Sequence, residues 1–187
     1  MAKCLICNSR KGKRKCLVTN GYVCQLCCGE TRNSDICHSC SFYKEPSIIR
    51  KYNEVPSYTT IQMEANIELQ EYSDAIEGAV CAFDQETGYK IDDLIAIRII
   101  ELLLDKHYFQ DEIIKFDNDL VEKGFNHVNK AIEEDLSRIS KEEVTKVLRV
   151  IHFVAKRRSK GGREYLKVIN EYVGIRVARG VRALVLK

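Results

Sequence analysis

The chain has 187 residues, of which 45% are hydrophobic and 30% charged, and its formal net charge is +3. This length and composition exclude a fibrous or disordered chain and predict one globular domain or two small ones. No apolar run reaches the roughly eighteen residues of a transmembrane helix. The first residues also lack the apolar stretch of a signal peptide. We therefore expect a cytoplasmic protein without a membrane span.

The charged residues fall into blocks along the chain. Residues 1–45 carry eight Lys or Arg against three Asp or Glu, residues 46–148 carry 11 against 22, and residues 149–187 carry 11 against two. An acidic middle between basic ends indicates either an anionic partner or attraction between parts of the chain.

The first element is a cysteine-rich stretch, which holds eight of the nine cysteines within forty residues. Cys4-x-x-Cys7 and Cys24-x-x-Cys27 are separated by sixteen residues, which is the spacing of a four-cysteine zinc site. Each C-x-x-C turn puts two sulfur atoms on one side of a tight loop. Two such turns close the ligand shell, so the pattern predicts a structural zinc ion with no catalytic role.

A second set of thiols remains, and it predicts a second zinc ion. Cys27 and Cys28 are adjacent in the stretch CQLCCG, so their side chains point in divergent directions and rarely serve one metal ion. The interleaved order of the two sets is that of cross-brace fingers, in which metal ions replace a missing core. Whether His38 replaces a cysteine stays open. The second set consists of Cys16, Cys28, Cys37 and Cys40.

Two other uses of these cysteines are less favoured. A thiol redox pair would need a spare exposed C-x-x-C, and eight thiols at chelating spacing leave none spare. An iron–sulfur cluster also takes four cysteines, but a CCG occurs there with longer spacers. Cys81, which lies in the first long helix, is interpreted as a packed apolar residue.

A linker and a helical part follow the cysteines. Both prolines, Pro46 and Pro56, lie in residues 45–58, and the apolar spacing after residue 59 is helical almost throughout. We therefore predict a zinc module over residues 1–44, a linker over 45–58 and an α-helical bundle over 59–187. The fold class is mainly α, with a small two-zinc cross-brace or treble-clef-like module and a bundle of five to six helices.

Three helices are predicted in the acidic middle. An apolar stripe from Ile61 to Phe83 indicates the first long helix. Residues 92–108 are apolar on most of the helix circumference, which places this helix at the centre of the bundle, with Asp92 or Asp93 near its start. A third helix is predicted over residues 111–139, with a solvated acidic face.

The remaining helices are predicted from clear start and stop signals. Ser140 and Glu143 form a capping box, and that helix ends in KRRSKGG. A further helix follows in REYLKVINEYV. A last short helix is predicted in GIRVARGVRALVLK, with Arg176, Arg179 and Arg182 opposite its apolar residues. No period-two pattern predicts a strand after residue 59.

The stretch from Cys4 to Cys40 resembles a group of uncharacterised bacterial and archaeal proteins of similar length. In that group the pattern continues as CCGTKR…C…C-x-Y-L, and here it reads CCGETRNSDICHSCSFY. The segment GREYLKVINEYV is similar to an R-x-Y-L segment near the end of those proteins. The resemblance implies two structural zinc ions and a helical partner domain, and it brings no activity. More distantly, the spacing is similar to HIT-type and B-box fingers, which are protein-interaction modules.

No residue pattern predicts an active site. The chain lacks nucleophile, phosphate-loop, dinucleotide and metalloprotease motifs. His107, His127 and His152 are interpreted as packing or surface residues. Acidic pairs such as Asp92 with Asp93 lie where helix starts carry acids anyway. The protein is therefore expected to be no enzyme, and no small-molecule substrate is evident.

Two basic clusters indicate nucleic-acid contact. The first is a loop of the zinc module, where a basic patch suggests phosphate binding. Its charges also offset the thiolates, because eight thiolates and two zinc ions would lower the N-terminal charge from +5 to about +1. The first cluster consists of Lys11, Lys13, Arg14 and Lys15.

The second basic cluster has no such local explanation. Together with the arginines of the last predicted helix it would bind phosphates, or it would dock on the acidic middle or on a second subunit. Tyr165 and Tyr172 lie nearby, but a tyrosine stripe is more often core than a base-stacking platform. The second cluster consists of Lys156, Arg157, Arg158, Lys160 and Arg163.

The sequence thus favours a non-enzymatic zinc-binding protein that is associated with nucleic acid or is regulatory. The alternative is a protein-interaction adaptor or assembly subunit, with a protein partner or self-association. A thiol redox protein or metal sensor is a third class.

Overall fold

The computed structural model describes residues 3–43 and 50–184, apart from the side chain of Ser34. The chain divides into two compact units, Met1–Arg50 and Lys51–Lys187. The predicted linker over 45–58 spans this division, and residues 44–49 lie outside the described part. Residues 51–58 belong to the second unit, where Val55 is part of the hydrophobic core.

The first unit is built from short elements. Strand β1, Arg14–Cys16, pairs antiparallel with β2, Gly21–Val23. Helices α1, Gln25–Glu30, and α2, Ser34–Cys37, follow. Such short elements bury little apolar surface, and the core of this unit is Val23 with a group of cysteines. The buried cysteines of this core are Cys4, Cys16, Cys24 and Cys27.

The second unit is mainly helical, as predicted. Its first element is a 3₁₀ turn, Tyr52–Glu54, and its last is a two-stranded hairpin. The helices are α3, Thr60–Ala65; α4, Ile67–Glu86; α5, Asp93–His107; α6, Asp119–Asp135; α7, Lys141–Arg158; and α8, Glu164–Tyr172. The strands are β3, Ile175–Ala178, and β4, Val181–Ala183.

Helix α5 is buried on most of its circumference, as predicted, although α4 contacts more of the unit, namely α3, α6, α7, α8 and β3. Helix α5 contacts α6, α7 and α8, and its N-cap is Asp92, whose side chain accepts a hydrogen bond from the Ile95 amide. The neighbouring Asp93 is buried and accepts from the amides of Tyr165 and Leu166. One acid therefore starts α5, while the next holds the start of α8 against it.

The prediction of one helix from Ile61 to Phe83 is wrong, because Asn66 interrupts it. The backbone of Asn66 is extended, and its side chain accepts hydrogen bonds from the Glu68 and Leu69 amides, which begins α4 there. No residue of α3 is buried, and Ile61 is 78% exposed.

The predicted helix over 111–139 is also too long at both ends. Asn118 is extended, and its side chain accepts from the Val121 amide, so α6 begins only at Asp119. The helix ends at Asp135, where Leu136 leaves the helical conformation. The capping box of Ser140 and Glu143 then begins α7, as predicted.

The predicted last helix is a β-hairpin instead. Gly174 and Gly180 have φ angles of +83° and +65°, which end α8 and form the turn between β3 and β4. Alternation along the strands puts Arg176 opposite Arg182, whereas Val177 stays 60% exposed. Residues 185–187 lie outside the described part. Within residues 3–43 and 50–184, no helix is long and apolar enough to cross a membrane.

Candidate metal centre and basic surfaces

Four cysteines of the first unit meet at one point. The Sγ atoms of Cys4, Cys7, Cys24 and Cys27 all lie within 4.8 Å of one another. The Sγ atoms of Cys7 and Cys24 are 4.0 Å apart. A tetrahedral zinc ion with sulfur ligands needs sulfur atoms about 3.8 Å apart. The four thiols therefore fit a metal ion of this kind after a small contraction.

The first two thiols are positioned by a tight turn. The Cys4 amide donates to the Arg10 carbonyl at 2.8 Å, and the Asn8 amide donates to the Cys4 carbonyl at 2.9 Å. Asn8 has a φ of +52°, a left-handed conformation that asparagine tolerates better than most residues. The turn therefore holds Cys4 and Cys7 on the same side of the loop.

The other two thiols are positioned by the start of a helix. Cys24 is the residue before α1, and the Cys28 amide donates to its carbonyl at 3.0 Å. Cys24 and Cys27 are therefore three positions apart on one helical face. Both are buried, as is Cys4, while Cys7 is half-buried.

The thiols differ in acidity. Hydrogen bonds from the Ser9 side chain and from the amides of Ser9 and Arg10 lower the pKa of Cys7 to about 5. The hydrogen bond with Cys24 and burial raise the pKa of Cys27 to about 12.

The second predicted set is not brought together in the same way. Among residues 3–43 and 50–184, only the first set brings three or more metal-ligating side chains this close together. Cys28 is not part of the four-thiol group, although it packs against the same core, and its Sγ lies 3.7 Å from Nη1 of Arg14. His38 is exposed, and its Nδ1 lies 2.6 Å from the Asp35 carbonyl.

The first basic cluster lies on the β1–β2 hairpin and the loop before it. Lys11, Lys13 and Lys15 are exposed. Arg14 differs, because it is half-buried, contacts Cys28 and lies over the Phe42 ring at 5.0 Å. Three of the four predicted contacts are therefore accessible, and the fourth stabilises the module.

A tyrosine that the sequence analysis did not single out lies among these lysines. Lys15 and Tyr22 are directly opposite in the hairpin, so both side chains are on the same face. Tyr22 is 51% exposed. A Cβ at Gly12 would lie 2.9 Å from the Tyr22 Cβ, so the chain between Lys11 and Lys13 passes close to the backbone of Tyr22. The signal in the sequence is weak: the loop ends at Asn20, whose φ is +50°, and asparagine is one of the residues that tolerate this conformation in turns.

The second basic cluster is divided by the structure. Arg163 is bound internally, with Nη2 2.7 Å from Oδ2 of the buried Asp84. Lys156 lies 3.3 Å from Glu101. The remaining members, Arg157, Arg158 and Lys160, are exposed.

The arginines of the hairpin also contact the acidic middle. Arg176 donates to Glu134 at 2.7 Å and to Asp135 at 2.8 Å. Arg182 lies 2.8 Å from Asp74. Much of the basic C-terminal block is thus paired within the second unit.

The two tyrosines of α8 differ in burial. Tyr165 is fully buried and donates to Glu77 at 2.9 Å, whereas Tyr172 is 74% exposed and is no core residue. Cys81 is fully buried, as predicted.

Comparison with protein-family models, curated proteins and solved structures gives no match to this chain.

Proposed function

We propose that this is a non-enzymatic protein in which a structural zinc ion holds a small hairpin module that binds single-stranded nucleic acid. The zinc site is formed by Cys4, Cys7, Cys24 and Cys27. Four sulfur ligands would complete a tetrahedral shell and leave no position for a substrate or water. This ligand set therefore favours a structural role over a catalytic one.

The architecture of the first unit supports the need for a metal ion. Its apolar core contains Val23 and cysteines, and a unit of about fifty residues rarely folds on such a core alone. A turn with two cysteines, then a hairpin, then a helix whose start carries two more is the order of treble-clef fingers. This order supports the treble-clef-like part of our fold prediction.

A second zinc ion at Cys16, Cys28, Cys37 and Cys40 remains part of the proposal. Cys28 is not one of the four gathered thiols, and Cys37 and Cys40 lie in one turn, where the Cys40 amide donates to the Cys37 carbonyl at 2.8 Å. Binding of a second ion would require these thiols to approach one another. The number of zinc ions per chain tests this part separately.

The observation that carries the nucleic-acid proposal is the pairing of Lys15 with Tyr22. A tyrosine ring stacks on bases without regard to sequence, and lysines beside it bind the phosphates between those bases. Lys11 and Lys13 extend the positive charge along the same loop. The first unit keeps a positive balance even with one zinc ion, because four thiolates and the ion together add −2 to +5.

The test is a binding titration with a fluorescent single strand of about 12 nucleotides. K13E/K15E reverses two charges on the hairpin, and R157E/K160E makes the same change on the second predicted cluster. We expect binding to weaken by at least about tenfold in the first variant and little in the second. Y22A should weaken binding without changing its dependence on salt. Loss of binding in R157E/K160E alone would move the site to α7.

An adaptor role is the second candidate, and exposed apolar side chains of the first unit favour it. Leu5, Leu17 and Leu26 are 59%, 45% and 55% exposed. Large apolar side chains at the surface of so small a unit are typical of protein-interaction surfaces. Self-association that is abolished in L17D/L26D, together with no nucleic-acid binding, would favour this role.

A further inference from the structure

A cavity of about 620 Å³ lies between the C-terminal end of α4 and helix α6. Sites for small molecules usually have volumes of about 300–1,000 Å³. Residues of α4, of the loop that follows it and of the first three turns of α6 line this cavity. The sequence predicted none of them as a binding residue, and it predicted His127 to be a packing or surface residue.

The apolar part of the lining is Phe83 and Leu120. Phe83 is 3% exposed, and its ring centroid lies 5.8 Å from that of His127. Gly124 lets α6 approach this ring, because a Cβ there would lie 2.7 Å from Cε1 of Phe83 and 2.3 Å from Cδ1 of Ile99. These contacts hold Phe83 in place, so the apolar side of the cavity is preformed.

The polar part of the lining is dominated by cations. Lys90 and Lys123 both line the cavity, and neither forms a hydrogen bond or ion pair with the described residues. Glu86 is the acid among the lining residues, and it is 3.2 Å from Nδ1 of His127. The hydrogen bond to the imidazole orients this carboxylate but does not cancel its charge, so two lysines and one carboxylate give the lining a formal charge of +1.

We propose that this cavity binds a small organic phosphate that carries an apolar ring. A lysine ammonium is a compact point charge that binds phosphate oxygens well, and two of them keep the lining positive beside its single carboxylate. Asn126, which also lines the cavity, adds an amide donor. Leu120, which is half-buried, provides most of the surface for the apolar ring, and only the edge of Phe83 reaches the cavity. This apolar contact separates such a ligand from inorganic phosphate.

The test titrates the full, zinc-loaded chain with adenosine 5′-monophosphate, adenosine and inorganic phosphate. Binding is measured from the chemical shifts of the backbone amides. We expect the monophosphate to shift the amides of Asn126 and His127. Adenosine and inorganic phosphate should each bind at least about tenfold more weakly. Shifts confined to the Tyr22 hairpin, or equal affinity for inorganic phosphate and the monophosphate, would overturn the proposal.

Charge-neutralising variants give a second readout. K90Q/K123Q should raise the dissociation constant for the monophosphate by at least about tenfold. K130Q/K141Q is the matched control, since it removes two exposed lysines that lie outside the cavity. All four lysines are exposed, so both variants should keep the thermal unfolding temperature of the wild type. Equal affinity in the two variants would contradict the proposal, whether or not the hairpin binds nucleic acid.

Discussion

Arg163 holds the carboxylate of Asp84 with two hydrogen bonds, from Nη1 to Oδ1 at 3.1 Å and from Nη2 to Oδ2 at 2.7 Å. The carboxylate is fully buried, and Nη1 of Arg163 also donates to the backbone carbonyls of Tyr89 and Ile91. A side chain predicted to contact phosphate thus connects the start of α8 with the end of α4.

Replacing this arginine should therefore destabilise the helical unit. R163Q leaves the buried Asp84 without its charged partner, and we expect the free energy of unfolding to fall by about 3 kcal/mol. Urea unfolding followed by circular dichroism measures this change. R157Q is the control, because Arg157 is exposed, and its effect should stay within about 0.5 kcal/mol. Equal effects of the two variants would contradict the structural role of Arg163.

Alanine substitutions at Gly174 and Gly180 distinguish the C-terminal hairpin from a helix, because they should destabilise the first and stabilise the second. A Cβ at Gly174 would lie 2.6 Å from the Ala183 carbonyl oxygen, so G174A should destabilise the unit by at least about 2 kcal/mol. At Gly180 no atom lies within 4 Å, so G180A should cost about 1 kcal/mol through its positive φ alone. If this segment were a helix, both changes would instead stabilise it. Thermal unfolding of the two variants distinguishes these outcomes.

Glu77 should make stability depend on pH in a defined window. Burial raises its pKa from 4.5 to about 7, although the hydrogen bond from Tyr165 acts in the opposite direction. The folded state therefore holds a proton that the unfolded state releases between pH 4.5 and about 7. The contribution of this group is fully present below pH 4.5 and is lost as the pH rises through about 7.

The variant E77Q isolates this contribution. Glutamine keeps an acceptor for Tyr165 but does not titrate, so its stability relative to the wild type should rise by up to about 3 kcal/mol from pH 5 to pH 8. Burial lowers the pKa values of His107 and His127, which gives an opposite slope. Those histidines are present in both E77Q and the wild type, so their contributions cancel in the difference between the two free energies of unfolding. A difference that is constant with pH would contradict the assignment.

The metal centre predicts a selective loss of structure. C27S removes one of four gathered ligands, and we expect loss of that zinc ion and unfolding of the first unit, while the helical signal of the second unit remains. If the second ion exists, C28S should lose one zinc ion and keep the other. C81A is the control, because Cys81 lies in the helical core and should not change the zinc content. Native mass spectrometry counts the metal ions in each variant.

The sequence was informative where local chemistry decides the structure. The spacing of Cys4, Cys7, Cys24 and Cys27 predicted a cluster that the structure brings together. The capping box at Ser140 is a local hydrogen-bond pattern and was predicted correctly. The apolar circumference of α5 likewise indicated a helix that is buried on most of its sides, although Leu94 near its start stays 60% exposed.

The sequence was misleading where distant contacts decide the structure. In the last segment, arginines and valines have a spacing that fits a helix. The segment is a hairpin in which Arg176 forms an ion pair with Asp135 of α6 and Arg182 forms one with Asp74 of α4. The internal position of the Arg163 side chain likewise depends on its ion pair with Asp84, which is 79 residues away in the sequence. The helix breaks at Asn66 and Asn118 were missed because apolar spacing continues across these caps.

The most direct test of our account is the salt dependence of single-strand binding by the zinc-loaded protein and by K13Q/K15Q. We expect a steep decrease of log affinity with log salt for the wild type, and a slope smaller by about 0.7 for each lost phosphate contact in the variant. An unchanged slope would show that the lysines beside Tyr22 do not bind phosphates. No binding near physiological salt would contradict the nucleic-acid function itself.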